Sequence, residues 1–201
     1  MQRVLTILKS GLFFRDRGDI YQENFVMTYL AFKDDNINTI SEALFIAEDK
    51  IGDYYKFSSE QWKKFQYDVK TLASLDENEI TSFAFALLNK CTRATEGFDS
   101  STKKRDFYFI CLQDHLILNA LQRDKDLTLL PLLVYIFTHE LVHIVRFCNF
   151  FQRYEVSGKT REEEEALVHE TTFKILKRIA LKNMNYILDS YKHHRPCELA
   201  V

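Results

Sequence analysis

The stretch that decides the reading is Thr138-His139-Glu140-Leu141-Val142-His143, set inside a long apolar run from Leu127 to Phe151. On an α-helix, residues four apart lie one above the other, so His139 and His143 can point at one ion. Glu140, one step round, can take the proton of a water held by that ion. Two imidazoles for Zn²⁺ and a carboxylate base are the parts of a metallohydrolase.

Taken alone, H-E-x-x-H arises by accident in roughly one chain in a hundred of this size. Its surroundings sharpen it: Val134, Ile136, Phe137, Leu141, Val142, Ile144 and Val145 are all apolar. A carboxylate buried among them costs several kcal/mol without a partner or a task. The bland alternative is a core helix with satisfied histidines and Glu140 paired to Arg146 or a distant lysine.

A third protein ligand is needed. A metzincin would have a histidine six residues after His143, but Asn149 stands there and Arg146 replaces the usual glycine, so that family is excluded. Downstream, Arg161-Glu162-Glu163-Glu164-Glu165-Ala166-Leu167-Val168-His169-Glu170 opens a second helical pattern. Over about residues 132 to 176 the chain resembles the gluzincins, zinc metallopeptidases with H-E-x-x-H on one helix and a glutamate ligand on a later one. The spacing of aminopeptidase-like gluzincins implies Glu162, and that of thermolysin-like ones Glu163. Those families place a polar residue four beyond the ligand to brace a histidine. Here Ala166 and Leu167 follow Glu162 and Glu163, whereas His169 follows Glu165. Glu165, His169, Phe173 and Leu176 form one stripe that runs from polar to apolar. Glu165 is the expected ligand, with His169 a bracing partner or alternative ligand and Glu162 next. At least two of the four glutamates read as a solvated first turn favoured by the helix dipole.

With 201 residues, 46% of them hydrophobic, and only two prolines and five glycines, the chain reads as one domain over 1–201. Within it, 1–100 reads as a mainly helical N-terminal portion and 105–185 as the metal-site core. A net charge of −2 gives no general reason to expect nucleic acid as a partner. Cys91, Cys111, Cys148 and Cys197 are widely spaced without C-x-x-C; Cys111 and Cys148, in apolar runs, read as buried thiols, and a cytoplasmic setting is expected. Gln2, Arg3, Lys9 and Ser10 break the N-terminal apolar run, so no targeting segment is expected. The run Leu127–Phe137 is too short to span a membrane before the histidines intervene, and a soluble protein is expected.

Outward from the motif, the metal helix should start near Asp126 to Thr128, with Pro131 in its first turns. Phe107–Leu112 reads as a strand. His115–Leu118 reads as its continuation or as the second arm of a hairpin turned at Asp114. Thr92 to Arg105 is loop-like, and Ile80 to Cys91 is helix or strand. Ser58 with Gln61 forms a capping box, followed by Phe65, Val69 and Leu72 at helical core spacing. A helix over Asn38 to Lys50 should be capped near Thr39 or Ser41. Val4–Leu8 is ambiguous, and Asn24–Leu30 reads as a short apolar element. Gly158 marks the loop between the metal helices, and the last helix should run through Ala180. Lys174, Lys177, Arg178 and Lys182 read as its solvated face, and His193–Cys197 as a mobile tail.

The expectation is therefore a mainly helical α+β protein with a zincin-like core, a small sheet preceding the metal helix. It would be a zinc-dependent peptidase acting on a peptide or protein. His139, His143 and Glu165 would hold the ion, and Glu140 would act as base. Tyr154, His193 and His194 are oxyanion donors by residue type alone. The competing expectation is a non-catalytic regulatory or binding module with a structural or sensory metal.

Overall fold

A computed structural model describes residues 4–14, 20–95, 103–149, 159–191 and 197–199, with side chains described over 29–92, 106–149 and 160–191. The architecture is mixed α+β, with more helix than strand. Its axis is helix α4, Leu129–Cys148, in which every residue from Pro131 to Val145 is buried. Thr128 is the N-cap and Pro131 sits in the first turn, where its missing N–H costs nothing. Although α4 is long and apolar enough to cross a membrane, 83% of its most apolar window is buried inside the protein.

Helix α1, Asp34–Tyr55, packs along α4 and is longer than the sequence suggested. Ile40, Ala43, Ala47 and Ile51 fall at i, i+3, i+7 and i+11, and all are buried. The two alanines let the backbones approach closely. Its cap is not Thr39 or Ser41. Asn36 Oδ1 instead accepts from Lys33 N–H at 2.8 Å, so the helix begins four residues earlier than the expected Asn38.

The Ser58 capping box is present: Gln61 Oε1 accepts from Ser58 N–H at 2.8 Å, and Ser58 Oγ accepts from Gln61 N–H at 3.3 Å. The helix it opens, α2 (Ser59–Trp62), stops after one turn. Val69 lies in strand β3, Tyr67–Lys70, and Leu72 in a 3-10 turn, so the helical spacing of Phe65, Val69 and Leu72 is a correction. Strand pairing won because β3 lies parallel to β5, Lys103–Leu112. Antiparallel to β5 runs β4, Ala86–Thr95. A 3-10 turn at Glu77–Glu79 precedes the segment 80–91, which is irregular over 80–85 and strand from Ala86. The expected loop over 92–105 is largely strand on both sides, and 96–102 lie outside the described residues.

Strand β6, Cys197–Leu199, adds to β4 in parallel, giving the order β3-β5-β4-β6. Of the expected tail His193–Cys197, Cys197 pairs with Ala86 of β4, and 193–196 lie outside the described residues. The N-terminal portion is not mainly helical either: Val4–Phe14 (β1) and Ile20–Leu30 (β2) form an antiparallel hairpin.

The segment 114–123 is helix α3, Asp114–Arg123, not a strand or hairpin. Its first residue explains why. Asp114 Oδ2 accepts from Phe32 N–H at 2.9 Å and Oδ1 from Leu72 N–H at 3.1 Å, joining three distant segments. Burial pushes the Asp114 carboxyl up to about 6, against the pull of these backbone donors. Asp114→Ala would leave two buried N–H groups without their acceptor, an expected loss of about 2–5 kcal/mol in denaturant unfolding. The folded-state pKa lies above the ordinary carboxylate value, so the folded protein holds this proton longer than the unfolded chain. This group's contribution to stability therefore falls as pH rises from about 4 to 6. A melting-temperature profile of wild type against Asp114→Asn over that window checks the sign, since the variant lacks the slope.

Helix α5, Lys159–Leu176, ends four residues before the expected Ala180. A separate helix α6, Met184–Ser190, follows Asn183, whose φ of 65° is left-handed. The expected stripe is also corrected. Phe173 is exposed, and the inward face of α5 carries Val168, Thr172, Ile175 and Leu176. Lys174, Lys177, Arg178 and Lys182 are exposed, and Lys174 pairs with Glu170 one turn back at 2.7 Å.

Candidate metal centre

Three contacts fix how α5 meets α4. Arg146 donates to both oxygens of Glu164, at 2.5 and 2.7 Å. Glu165 lies against His139 and His143. The Tyr135 hydroxyl lies 3.0 Å from Nδ1 of His169. Descending α4 from 146 to 135 thus ascends α5 from 164 to 169, so the helices are antiparallel. The fork of Arg146 on Glu164 is planar and bidentate, which sets register as well as energy. The guanidinium of Arg146, one expected partner for Glu140, is thus engaged by Glu164.

Among the four glutamates, Glu162 and Glu163 are exposed and Glu164 and Glu165 buried. The positions implied by aminopeptidase-like and thermolysin-like spacing are therefore on the solvent side, and the next two face the core. Glu165 is the one that reaches the histidines. Its Oε2 lies 3.4 Å from His139 Nε2 and its Oε1 lies 3.4 Å from His143 Nε2. The two Nε2 atoms are 3.2 Å apart. Zinc–nitrogen and zinc–oxygen bonds of about 2.0–2.1 Å in a tetrahedron put neighbouring ligand atoms about 3.3–3.4 Å apart. The Nε2–Nε2 separation is close to that edge, and the carboxylate straddles the two imidazoles with a different oxygen towards each.

The ring nitrogens facing away, Nδ1 of His139 and of His143, have no hydrogen-bond partner among the described residues. Nε2 of His139 and His143 point instead at each other and at Glu165, an arrangement with little purpose unless a cation or proton sits between them. Electrostatics favour the same picture. Burial drives the His139 imidazole down to about 4 despite Glu165, so it is neutral and offers a lone pair. Burial opposes charge on His143 too, but Glu165 first, then Glu140 and Glu164, outweigh it and raise this group. Glu165 feels burial upward, yet the two imidazoles hold it well below the usual carboxylate range. Protonation is thus disfavoured at His139 and favoured at His143, both 3.4 Å from Glu165. A divalent cation fits the same donors with His143 deprotonated.

His169 belongs to this group as well. A ligand atom of His169 and those of His139 and Glu165 all lie within 4.8 Å of one another. The His139 and His169 rings are 4.6 Å apart. Burial lowers the His169 pKa. Donor set and geometry show a group able to hold a metal ion; they do not choose the metal. No protein-family model matches the chain, and no curated protein or solved structure does either.

Glu140 is fully buried, near enough to raise both His143 and the Cys111 thiol of β5. Cys111 itself is pushed up to about 12, mainly by burial, and stays a thiol beside Glu79. Tyr154, His193 and His194 lie outside the described residues, as do Gly158 and Phe150. Sequence reading missed Tyr135 and the Arg146–Glu164 pair. The signal for Tyr135 was there: Tyr135, His139, His143 and Phe147 recur every four residues, one row along α4. Phe147 closes that row by stacking on His143, ring centres 5.7 Å apart.

Proposed function

We propose that this chain is a zinc-dependent hydrolase of peptide bonds, built as the gluzincin resemblance implies, in a cytoplasmic setting. The observation that carries it is the convergence of the Glu165 carboxylate on Nε2 of both His139 and His143 at 3.4 Å, with Glu140 on the helix of the two histidines. His139 and His143 would donate Nε2, and Glu165 a carboxylate oxygen. Zinc, when bound there, supplies a water of pKa near about 7 and polarises a carbonyl oxygen. Glu140 accepts a proton from the attacking water and returns it to the leaving amine. The Arg146–Glu164 clamp holds Glu165 in register and takes no part in proton transfer.

A specific observation favours a second reading, a non-catalytic module with a structural metal. His139 and Glu140 are 0% exposed and His143 1%, whereas a catalytic metal needs an open position. Elemental analysis of tag-free protein across first-row metals, followed by a peptidase screen, separates them. The hydrolase reading expects about one zinc per chain and an activity that Glu140→Gln lowers by about 10²–10⁴-fold with zinc retained. Full activity in Glu140→Gln would sink it. Zinc without any activity would favour the module.

A further inference from the structure

We propose that His169 is a fourth ligand, through Nε2, which closes the centre at rest and must leave before solvent can enter. This rests on the metal reading above and adds the regulation of that site. Tyr135 and His169 provide the first argument. With the Tyr135 hydroxyl 3.0 Å from Nδ1, the tautomer that donates Nδ1–H to it leaves the lone pair on Nε2. That Nε2 atom is buried and has no hydrogen-bond partner among the described residues. A buried nitrogen acceptor without a donor costs free energy unless something occupies it.

Placement is the second argument. Glu165 and His169 stand four apart on α5, as His139 and His143 do on α4, and the helices run antiparallel, so the two pairs face each other. The ligand atoms of His139, Glu165 and His169 already lie within 4.8 Å of one another, against about 3.3 Å for a tetrahedral edge. For these three residues the remaining difference is within reach of a rotation of the His169 side chain. Three imidazoles and one carboxylate complete four-coordination and leave no position for water.

Exposure is the third argument and gives the direction of control. Three of the donors are buried, at 0% (His139), 1% (His143) and 6% (Glu165), whereas His169 is only half-buried. The donor nearest solvent is the one whose departure opens the centre. Tyr135, as a positioning residue, can keep His169 in place by holding Nδ1.

The test uses the full-length chain, stripped of metal and titrated with Co²⁺ alone, with azide as the exchangeable-ligand probe. Wild type should give a visible cobalt spectrum that azide leaves unchanged. His169→Asn, folded by circular dichroism, should bind cobalt and zinc about 10–100-fold more weakly and give a spectrum that azide shifts. Tyr135→Phe, which leaves His169 in the chain, should weaken zinc by about 10–100-fold, and it serves alone if His169→Asn does not fold. A wild-type spectrum that azide shifts overturns the inference, as does unchanged zinc affinity in the folded variants. If wild type binds neither cobalt nor zinc, or His143→Ala binds both as well as wild type, the metal reading itself fails and this inference with it. If His143→Ala loses the metal while His169→Asn behaves as wild type, only the inference about His169 falls.

Discussion

Glu165→Ala is expected to weaken zinc binding by roughly 10²–10³-fold, while Glu162→Ala and Glu163→Ala leave it unchanged. The first removes a carboxylate within 3.4 Å of both Nε2 atoms; the other two remove exposed side chains. Zinc in four-ligand protein sites is held by about 10–16 kcal/mol, so one ligand is worth about 3–4 kcal/mol, or roughly 10²–10³ in Kd. His143→Ala should do the same. Calorimetric titration of the stripped protein measures it. Equal affinity in Glu165→Ala and Glu162→Ala would remove the site described above.

Arg146→Ala is the second large effect, expected on stability and on metal affinity together. Only 3% of the Glu164 side chain is exposed, so deleting its guanidinium partner strands a carboxylate in the core. Breaking a buried pair from one side costs about 3–5 kcal/mol, or roughly 6–20 °C in melting temperature for a chain of this length. Glu164→Ala should cost less, because the Arg146 side chain keeps 15% exposure and can turn towards water. Because the pair sets the register that brings Glu165 to the histidines, zinc affinity should fall in both variants although neither residue is a ligand. Denaturant unfolding and zinc titration of the two single variants and the double check this. A variant that loses stability but keeps wild-type zinc affinity would show that the clamp does not position Glu165.

What was legible in the sequence was local. His139 and His143 share a face because a helix repeats every 3.6 residues, and α4 is buried because it is apolar nearly all round. The Ser58 cap needs only its own residues and Gln61. Strand Phe107–Leu112 was readable from its aromatic and β-branched composition, though not its extension back to Lys103, where polar residues pair with β4. Other features depended on partners far along the chain. His115–Leu118 became helix because Asp114 anchors α3 to Phe32 and Leu72, and Val69 became strand because β5 offered a parallel partner.

The choice among four consecutive glutamates shows the division most plainly. By itself, the sequence determined that a buried helix carries two histidines four apart with a glutamate between them, and that an acidic helix follows. Local rules are enough for that, since periodicity and burial tendency are properties of neighbouring residues. The tertiary structure decided that Glu165 faces the imidazoles, that Glu164 takes Arg146, and that Tyr135 holds His169. Successive helical residues are about 100° apart, so a change of one residue in the register of α5 would have sent a different carboxylate inward. That register is set by contacts between helices, which no stretch of the chain contains on its own.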